Sequence, residues 1–378
     1  MRLVKAIYAD AEVARIPLDS AKDLKDIKAT LRSIKLWIDP GVDGFHSFGT
    51  RSPNSSWHRF LANVPAFNRI GSDSFQSNPD IGLLTAFVNE LLDRCSEHKP
   101  DWITVPQLPS VSDSSRNKIN RELAKATGKW KSSHRSSSLF VLPLVLTHQD
   151  QTKGKTQRNP KVQLAERCYY EAQADGLWVV DTTLTEESGS EALRGKRFKA
   201  IIDLHQELNE KIHSKVRVAG PYWGLNLVLW ARGLVDYPAV GIGATYQYYL
   251  PGGHSNPPTA RVAIAPLRRR VGVAKLKAWF VEALNLLSPM HPAYSQLAKI
   301  QKDLSLLADP DRAREQVAKF YKVWFDSLAG TPQAGRALAL FQDLAAAFAL
   351  GKSLPKFPNE GPTRKAESVV EPLMVNCL

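Results

Sequence analysis

The sequence predicts an α/β fold of the (β/α)₈ TIM-barrel type with a C-terminal helical appendage. Short apolar runs alternate with amphipathic segments, which is the pattern of a parallel sheet joined by helical crossovers. Eight such runs occur, the number that closes a barrel. Neither Gly-x-Gly-x-x-Gly nor Gly-x-x-x-x-Gly-Lys-Ser/Thr follows the first run, which disfavours the alternative, an open nucleotide-binding sheet.

The elements follow in order from these runs and the segments between them. The fourth run, 139–146, is almost continuously apolar, as a strand covered on both faces should be. Asn78-Pro79-Asp80 has the character of a helix start, with a cap and an early proline. The eight predicted strands are 3–8, 34–38, 102–105, 139–146, 177–180, 216–219, 239–242 and 261–265. The predicted helices are 20–32, 80–98, 114–128, 160–174, 189–213, 223–234, 274–287, 313–328 and 335–350.

The chain divides into three predicted regions. Residues 1–290 form the barrel, and residues 291–350, with their Leu, Ala and Phe faces, form the helical appendage. Residues 351–378 are rich in Pro, Lys and Glu, which predicts a flexible tail.

Composition limits the classes of protein to which the chain can belong. No apolar run approaches the roughly 18 residues of a membrane span, and the N-terminus lacks a cleavable signal pattern, so we expect a cytoplasmic protein with no membrane partner. The three cysteines are far apart, which excludes a disulfide framework and a Cys-x-x-Cys zinc site. Cys95 and Cys168 fall in predicted helices and are expected to be buried, inert thiols. We predict no cofactor and no metal.

The formal net charge is +13, which favours a polyanionic partner. Basic residues cluster in 116–135, 153–161, 194–199 and 268–270, with few acids nearby. Solvated helix faces are the alternative explanation for any single cluster. Together the clusters predict nucleic-acid binding, and other protein subunits are further candidate partners. The predicted nucleic-acid contacts are Arg116, Lys118, Arg121, Lys125, Arg268 and Arg269.

Polar and aromatic side chains follow several predicted strands, at the end where TIM barrels place their active sites. Asp39 and Asp181 follow strands two and five, and such a pair can supply a nucleophile and an acid/base when its environments differ. A turn or helix-cap role is the alternative for each. We predict that both carboxylates face a common cavity. The predicted substrate-binding residues are Asp43, His46, Gln107, His148, Tyr222, Trp223 and Tyr246.

Aromatic residues add to this predicted rim. Tyr222, Trp223, Tyr246, Tyr248 and Tyr249 lie near the ends of strands six and seven. Beside a basic groove, such rings can stack an extruded or unpaired base. Core packing is the alternative, and it is expected for at least two of the five. The spacing of His46 and His148 in the sequence matches no metal-binding motif.

Three segments resemble tRNA-guanine transglycosylases and their DNA-modifying DpdA-like relatives. VAGPYWGLNLVLWARGLVDYPAVGIG is similar to the family's Gly-rich turn, helix and following strand, and IDPGVDGF is similar to its Asp-Ser-Gly-Gly-Phe motif. The resemblance implies exchange of a 7-deazaguanine-type base in tRNA or DNA. It would place Asp39 at the aspartate that acts on the base. In DWITVPQLP, it would place Gln107 at a residue that recognises the base.

The chain departs from this family at two places. Tyr237-Pro238-Ala239-Val240 stands where the family has its nucleophilic aspartate, and the family's three-cysteine, one-histidine zinc site is absent from the sequence. Asp181 or Asp236 would have to replace that nucleophile, and Asp181 is preferred because it follows a strand instead of preceding one. Three functions follow: a transglycosylase-like enzyme, a catalytically inactive nucleic-acid-binding subunit of a modification or defence complex, and a barrel hydrolase acting on a phosphorylated small molecule.

Overall fold

The computed structural model describes most of the chain. The described residues are 11–18, 34–42, 64–66, 80–109, 114–147, 155–184, 191–241, 260–274, 276–358, 360 and 363–378. The predicted strand 3–8 and helix 20–32 lie outside them. Within these ranges the fold is α/β, as predicted.

Within the part of the chain that the structure describes, seven parallel strands form one sheet, hydrogen-bonded in the order in which they occur in the sequence. A sequential parallel order requires each crossover to run in the same sense, as in barrel folds. The strands are β1 (Val13–Pro17), β2 (Lys35–Asp39), β3 (Trp102–Thr104), β4 (Leu139–Leu146), β5 (Gly176–Asp181), β6 (Val216–Ala219) and β7 (Tyr237–Pro238). Strand β1 is not predicted from the sequence, because it is short and Arg15 interrupts its apolar pattern.

Five helices with described bounds lie between these strands. Asp80 caps the first, accepting a hydrogen bond from the Leu83 backbone N–H at 3.0 Å. The helices are α1 (Ile81–Glu97), α2 (Ser114–His134), α3 (Lys155–Glu171), α4 (Glu191–Lys211) and α5 (Leu225–Ala231). Helix α3 begins five residues before Pro160, the predicted helix start. No helix within the described ranges is long and apolar enough to cross a bilayer.

Side chains alternate between the two faces of the sheet, as the pleat of a β-strand requires. Leu36, Ile38 and Val179 point to one face and pack with helical residues in the main core. The opposite face, called here the inner face, forms a separate cluster made of strand residues. Its members are Trp37, Trp102, Val141, Val145, Trp178, Val180, Val216 and Val218.

The sheet curls around its inner face. The rings of Trp37 in β2 and Trp178 in β5 have centroids 5.4 Å apart, and Trp102 in β3 lies 5.2 Å from Tyr237 in β7. In a flat sheet, strands about 4.8 Å apart would separate β2 from β5 by roughly 14 Å. The described strands therefore form a curled sheet with the curvature of a partial barrel, and β1 and β7 are its edges.

The predicted eighth barrel strand belongs to a different sheet. Arg261–Ile264 (β8) pairs antiparallel with Arg269–Gly272 (β9), and the turn Ala265–Leu267 connects them. Arg268 ends this turn in the left-handed conformation, at φ 50°, and so reverses the chain. Periodicity could not distinguish the two pairings, because an apolar run of four residues fits either.

The C-terminal third is helical. Its helices are α6 (Leu276–Leu286), α7 (Pro292–Asp303), α8 (Pro310–Ala329), α9 (Gln333–Ser353) and α10 (Val370–Met374). Phe320 and Trp324 of α8 and Leu344 of α9 pack into the main core beside Trp223. Helices α8, α9 and α10 therefore share a core with the sheet, whereas α7 packs in a second cluster with the β8–β9 hairpin.

The expectation of a flexible tail is wrong for the described part of 351–378. Phe357 stacks on Trp279 with ring centroids 4.3 Å apart, and Val370 and Leu373 are buried. Arg194 of α4 donates a 2.8 Å hydrogen bond to the carbonyl of Ser368. The composition of the segment predicts mobility. The buried apolar side chains and the hydrogen bond from Arg194 to a backbone carbonyl instead attach the segment to the rest of the fold.

Candidate functional site

Asp39 ends β2 and lies on the inner face of the sheet. Its strand alternation places it on the same side as Trp37, and only 3% of the residue is exposed. Its Oδ1 accepts a 2.9 Å hydrogen bond from the backbone N–H of Gly41. Gly41 has φ 70°, a conformation that glycine adopts without strain, so the Asp-Pro-Gly sequence turns the chain back onto the carboxylate. This partly confirms the turn role considered above and leaves Asp39 at the strand end where barrel sites lie.

Arg15 supplies the charged partner of Asp39. Strand register pairs Arg15 with Trp37 and Pro17 with Asp39, so Arg15 and Asp39 are diagonal neighbours on one face. The Arg15 Nη2 group donates to Asp39 Oδ2. About a quarter of the Arg15 side chain is exposed (24%), whereas Asp39 is almost fully enclosed. A buried carboxylate is thereby compensated by one guanidinium and one backbone donor.

Tryptophan side chains support this ion pair from below. The Arg15 guanidinium carbon lies 4.4 Å from the ring centroid of Trp178, a cation–π distance. The Trp178 indole N–H donates to the carbonyl of Gly220 at 2.8 Å, which fixes the ring. The Trp37 indole N–H donates to Thr104 Oγ1 at 2.8 Å. Residues from four strands thus pack around the Arg15–Asp39 ion pair, and two of them are tryptophans whose rings are fixed by hydrogen bonds.

Asp181 does not share a cavity with Asp39. Strand register pairs Asp181 with Leu146, which belongs to the main core, so the Asp181 side chain points to the helix-covered face. Its carboxylate lies 3.3 Å from Arg197 of α4 and accepts hydrogen bonds from the Thr183 backbone and hydroxyl at 2.8 and 2.7 Å. The prediction of a two-carboxylate site is therefore wrong. The side chain of Asp39 is on the inner face of the sheet, and the side chain of Asp181 is on the helix-covered face.

Tyr222 and Trp223 are buried in the main core, which confirms the expectation that some rim aromatics are structural. The Tyr222 hydroxyl accepts a 2.6 Å hydrogen bond from the backbone N–H of Asp181. Burial, together with the nearby negative charge of Asp181, raises the pKa of Tyr222 far above its usual value. Trp223 donates to the carbonyl of Arg268 at 2.8 Å. Neither ring is placed to stack a base.

Gln107 is also committed to internal contacts. Its amide N–H₂ donates at 2.9 Å to the carbonyls of Pro106 and Asn120, and the residue is 4% exposed. Asn120 in turn bonds both backbone groups of Leu108. These bonds pin the segment after β3 to helix α2. The amide N–H₂ group of Gln107 is therefore engaged within the fold, and a role in recognising a base stays a prediction.

The basic cluster on α2 is partly neutralised. Arg121 forms an ion pair with Glu171 of α3 at 2.7 Å, and Lys125 contacts Glu122 at 2.6 Å. Arg116 is half-buried, whereas Lys118 is exposed. Of the four predicted contacts on this helix, Lys118 is the one presented openly to solvent.

Arg268 and Arg269 are structural residues, which corrects their assignment to a nucleic-acid surface. Arg268 makes a paired contact with Asp343 of α9, at 2.6 and 2.8 Å. Arg269 is fully buried and donates to the carbonyls of Thr363, Lys365 and Ala366. An arginine run in sequence looks like a charged surface, but here it ties the C-terminal segment to the β8–β9 hairpin.

The remaining predicted residues Asp43, His46, His148 and Tyr246 lie outside the described residues, as do Tyr248 and Tyr249. Among the described residues, no group of three or more His, Cys, Asp or Glu is arranged to hold a metal ion. The cysteines Cys95 and Cys168 are buried, as predicted, and burial raises the pKa of the Cys168 thiol to about 12.

The residue of the candidate site that could not be predicted from the sequence is Arg15. It lies in the strand that the apolar pattern did not reveal, and its link to Asp39 depends on strand register. A scan of the chain against protein-family models gives no match, and a search of curated proteins finds no significant similarity. The inner-face geometry is therefore the main guide to function.

Proposed function

We propose that this chain is a TIM-type barrel protein that acts on a base of DNA or RNA, with Asp39 as the group that hydrogen-bonds the base and exchanges a proton with it. The observation that carries this proposal is the enclosed Asp39 carboxylate at the C-terminal end of β2. It stands on the inner face above three tryptophans, beside a guanidinium. A carboxylate in such a dry, preorganised setting accepts N–H hydrogen bonds strongly.

Two further features support a base as the ligand. The resemblance of IDPGVDGF to the transglycosylase motif puts Asp39 at the residue that acts on the base. The net charge of +13 favours a polyanion, and Lys118 and Lys129 remain exposed on one face of α2, eleven residues or about three turns apart. Base exchange or N-glycosidic cleavage in tRNA or DNA is the reaction class that unites these features.

A second candidate function is a nucleic-acid-binding subunit that does not catalyse base exchange. The observation that favours it is the engagement of Asp181 by Arg197 and Thr183 on the other face of the sheet. Among the described residues at the C-terminal edge of the sheet, Asp39 is the carboxylate on the inner face. Exchange with a carboxylate pair then requires a nucleophile other than Asp181.

Mass spectrometry of hydrolysed nucleosides, from cells with and without the protein, tests the first candidate. We expect a base whose abundance depends on the protein. The Asp39→Asn variant keeps the size of the side chain and removes its charge, so it should abolish the change while still binding nucleic acid. Asp326→Asn, in an exposed ion pair with Lys322 on α8, is the control and should retain the change. Nucleic-acid binding with an unaltered nucleoside profile supports the second candidate, and absence of binding contradicts both.

A further inference from the structure

Arg15 is placed on the edge strand β1, yet its guanidinium reaches across the inner face to the carboxylate that ends β2. Each Asp39 carboxylate oxygen accepts a hydrogen bond from a different donor. Arg15 donates to Oδ2, and the Gly41 backbone N–H donates to Oδ1. A carboxylate oxygen has two acceptor positions, and among the described residues each Asp39 oxygen accepts one hydrogen bond. The carboxylate plane is therefore fixed before any ligand arrives.

The guanidinium is itself held in place. Trp178 lies against it at 4.4 Å, and the edge of Trp37 packs on Trp178 at 82°. Among the described residues, Arg15 is the charged group that contacts Asp39, and β3 contributes the neutral Thr104 beside it. An arginine in this setting supplies both charge and a planar fork, and lysine supplies the charge alone.

We propose that Arg15 is a positioning residue for Asp39: it keeps the carboxylate charged and oriented so that Asp39 accepts hydrogen bonds from the N–H edge of a bound base. This inference deepens the proposed function and rests on it for the identity of the ligand. The hold of Arg15 on Asp39 is a property of the protein alone and can be measured without any ligand.

The first measurement is titration of the Asp39 carboxyl by ¹³C NMR in the full chain, assigned with Asp39→Asn. In Arg15→Met, we expect the midpoint of the Asp39 titration to rise by about 1 to 3 pH units, because a paired cation favours the charged form by that amount. In Arg15→Lys, the midpoint should stay close to the wild-type value, because the positive charge is kept. Arg217→Met is the matched control. Arg217 pairs with Asp236 at the N-terminal ends of the strands, so this variant should leave the Asp39 titration midpoint unchanged.

The second measurement is binding of free guanine and adenine, followed by tryptophan fluorescence as a function of pH. In Arg15→Met we expect at least tenfold weaker binding of the preferred base at neutral pH, and in Arg15→Lys an intermediate loss because the planar fork is missing. An Asp39 midpoint unchanged in a folded Arg15→Met variant overturns the positioning role. A shifted midpoint without base binding by the wild-type protein, together with no nucleic-acid binding, leaves that role intact and contradicts the proposed function.

Discussion

At the scale of single residues, several buried or half-buried arginines of the described residues are matched to carboxylates or to backbone carbonyls. Arg15 faces Asp39, Arg197 faces Asp181, and Arg158 contacts Glu207 at 2.8 Å. Arg269 donates to backbone carbonyl oxygens. Removing a charge from water is expensive unless it gains a partner. Some of the arginines in the basic clusters, among them Arg158 and Arg197, are therefore paired inside the fold.

Asp181→Asn is expected to lower stability and to leave base chemistry unaffected. The substitution keeps the acceptor for Thr183 but leaves Arg197, whose side chain is 15% exposed, without its counter-charge. We expect the free energy of unfolding to fall by about 1 to 3 kcal/mol, measured by urea denaturation. Asp236→Asn, whose pair with Arg217 is more exposed, should cost less than about 1 kcal/mol. Equal losses in both variants would contradict a buried Asp181 pair.

His205 of α4 makes stability depend on pH. Burial, with a contribution from the positive charge of Arg217, lowers its pKa from 6.5 to about 3. Because the unfolded chain takes up a proton below pH 6.5 and the folded chain does not, stability is complete above 6.5 and falls as the pH drops towards 3. The loss is about 1.4 kcal/mol for each pH unit.

His205→Leu should remove this component of the acid slope, because leucine cannot bind the proton. Denaturant midpoints measured between pH 7 and 4 test it, with His213→Leu as the control, because His213 is exposed on the same chain segment. If the two variants keep identical slopes, His205 is not the group responsible.

At the scale of elements, helices α2 and α3 approach closely at Gly128. A Cβ at this position would lie 2.2 Å from the carbonyl oxygen of Glu171, so neither helix can accommodate a side chain there. Next to this contact, Lys131 spans to Asp175 at 2.6 Å. The close approach of helices α2 and α3 therefore depends on the absence of a side chain at Gly128.

Gly128→Ala is expected to destabilise the protein by about 1 to 3 kcal/mol, because overpacking forces the helices apart. Gly195→Ala is the matched control within α4, where a new Cβ would meet nothing within 4 Å. That variant should stabilise the protein by about 0.5 to 1 kcal/mol, since alanine restricts the unfolded chain and favours helix. Thermal melts that rank the two variants in the opposite order would refute this account of the helix contact.

At the scale of the whole molecule, the C-terminal segment joins the sheet helices to the hairpin. Arg194 of α4, Arg232 after α5 and Arg269 of β9 all donate to its backbone carbonyls. Leu373 packs where a side chain at Gly224 would clash, with a separation of 2.3 Å. The end of the chain is therefore a part of the core.

Deletion of residues 363–378 is expected to lower the melting temperature by at least about 5 °C. The deletion removes several buried aliphatic side chains, each worth about 1.5 to 3 kcal/mol, and for a chain of 378 residues each kcal/mol corresponds to roughly 1 °C. Deletion of Leu378 alone, which is 66% exposed, should have no measurable effect. A full deletion that melts like the wild type would restore the idea of a flexible tail.

Nucleic-acid binding, if it uses α2, should depend on its exposed lysines. In Lys118→Ala/Lys129→Ala, we expect the slope of log K against log salt to become shallower by about 0.9 for each phosphate that the variant no longer neutralises. The control is Lys319→Ala on α8, whose ammonium is 67% exposed and contacts Glu315. An unchanged slope in the double variant would exclude this face of α2 from the binding surface.

The sequence by itself determined the α/β class, the limits of β4 and β6, the helical C-terminal third and the inert cysteines. These follow from local composition and period, because a doubly covered strand must be apolar and an amphipathic helix must repeat every 3.6 residues. It also indicated Asp39, because a carboxylate that follows an apolar strand stands out locally.

Only the tertiary structure decided which charges meet. Strands that are apolar on both faces carry no signal of which residues point inward, so nothing local separated Asp39, on the inner face, from Asp181, on the helix-covered face. The pairing of β8 with β9 and the partners of Arg15 and Arg269 are contacts between distant segments. Register and burial set them, and both are properties of the assembled fold.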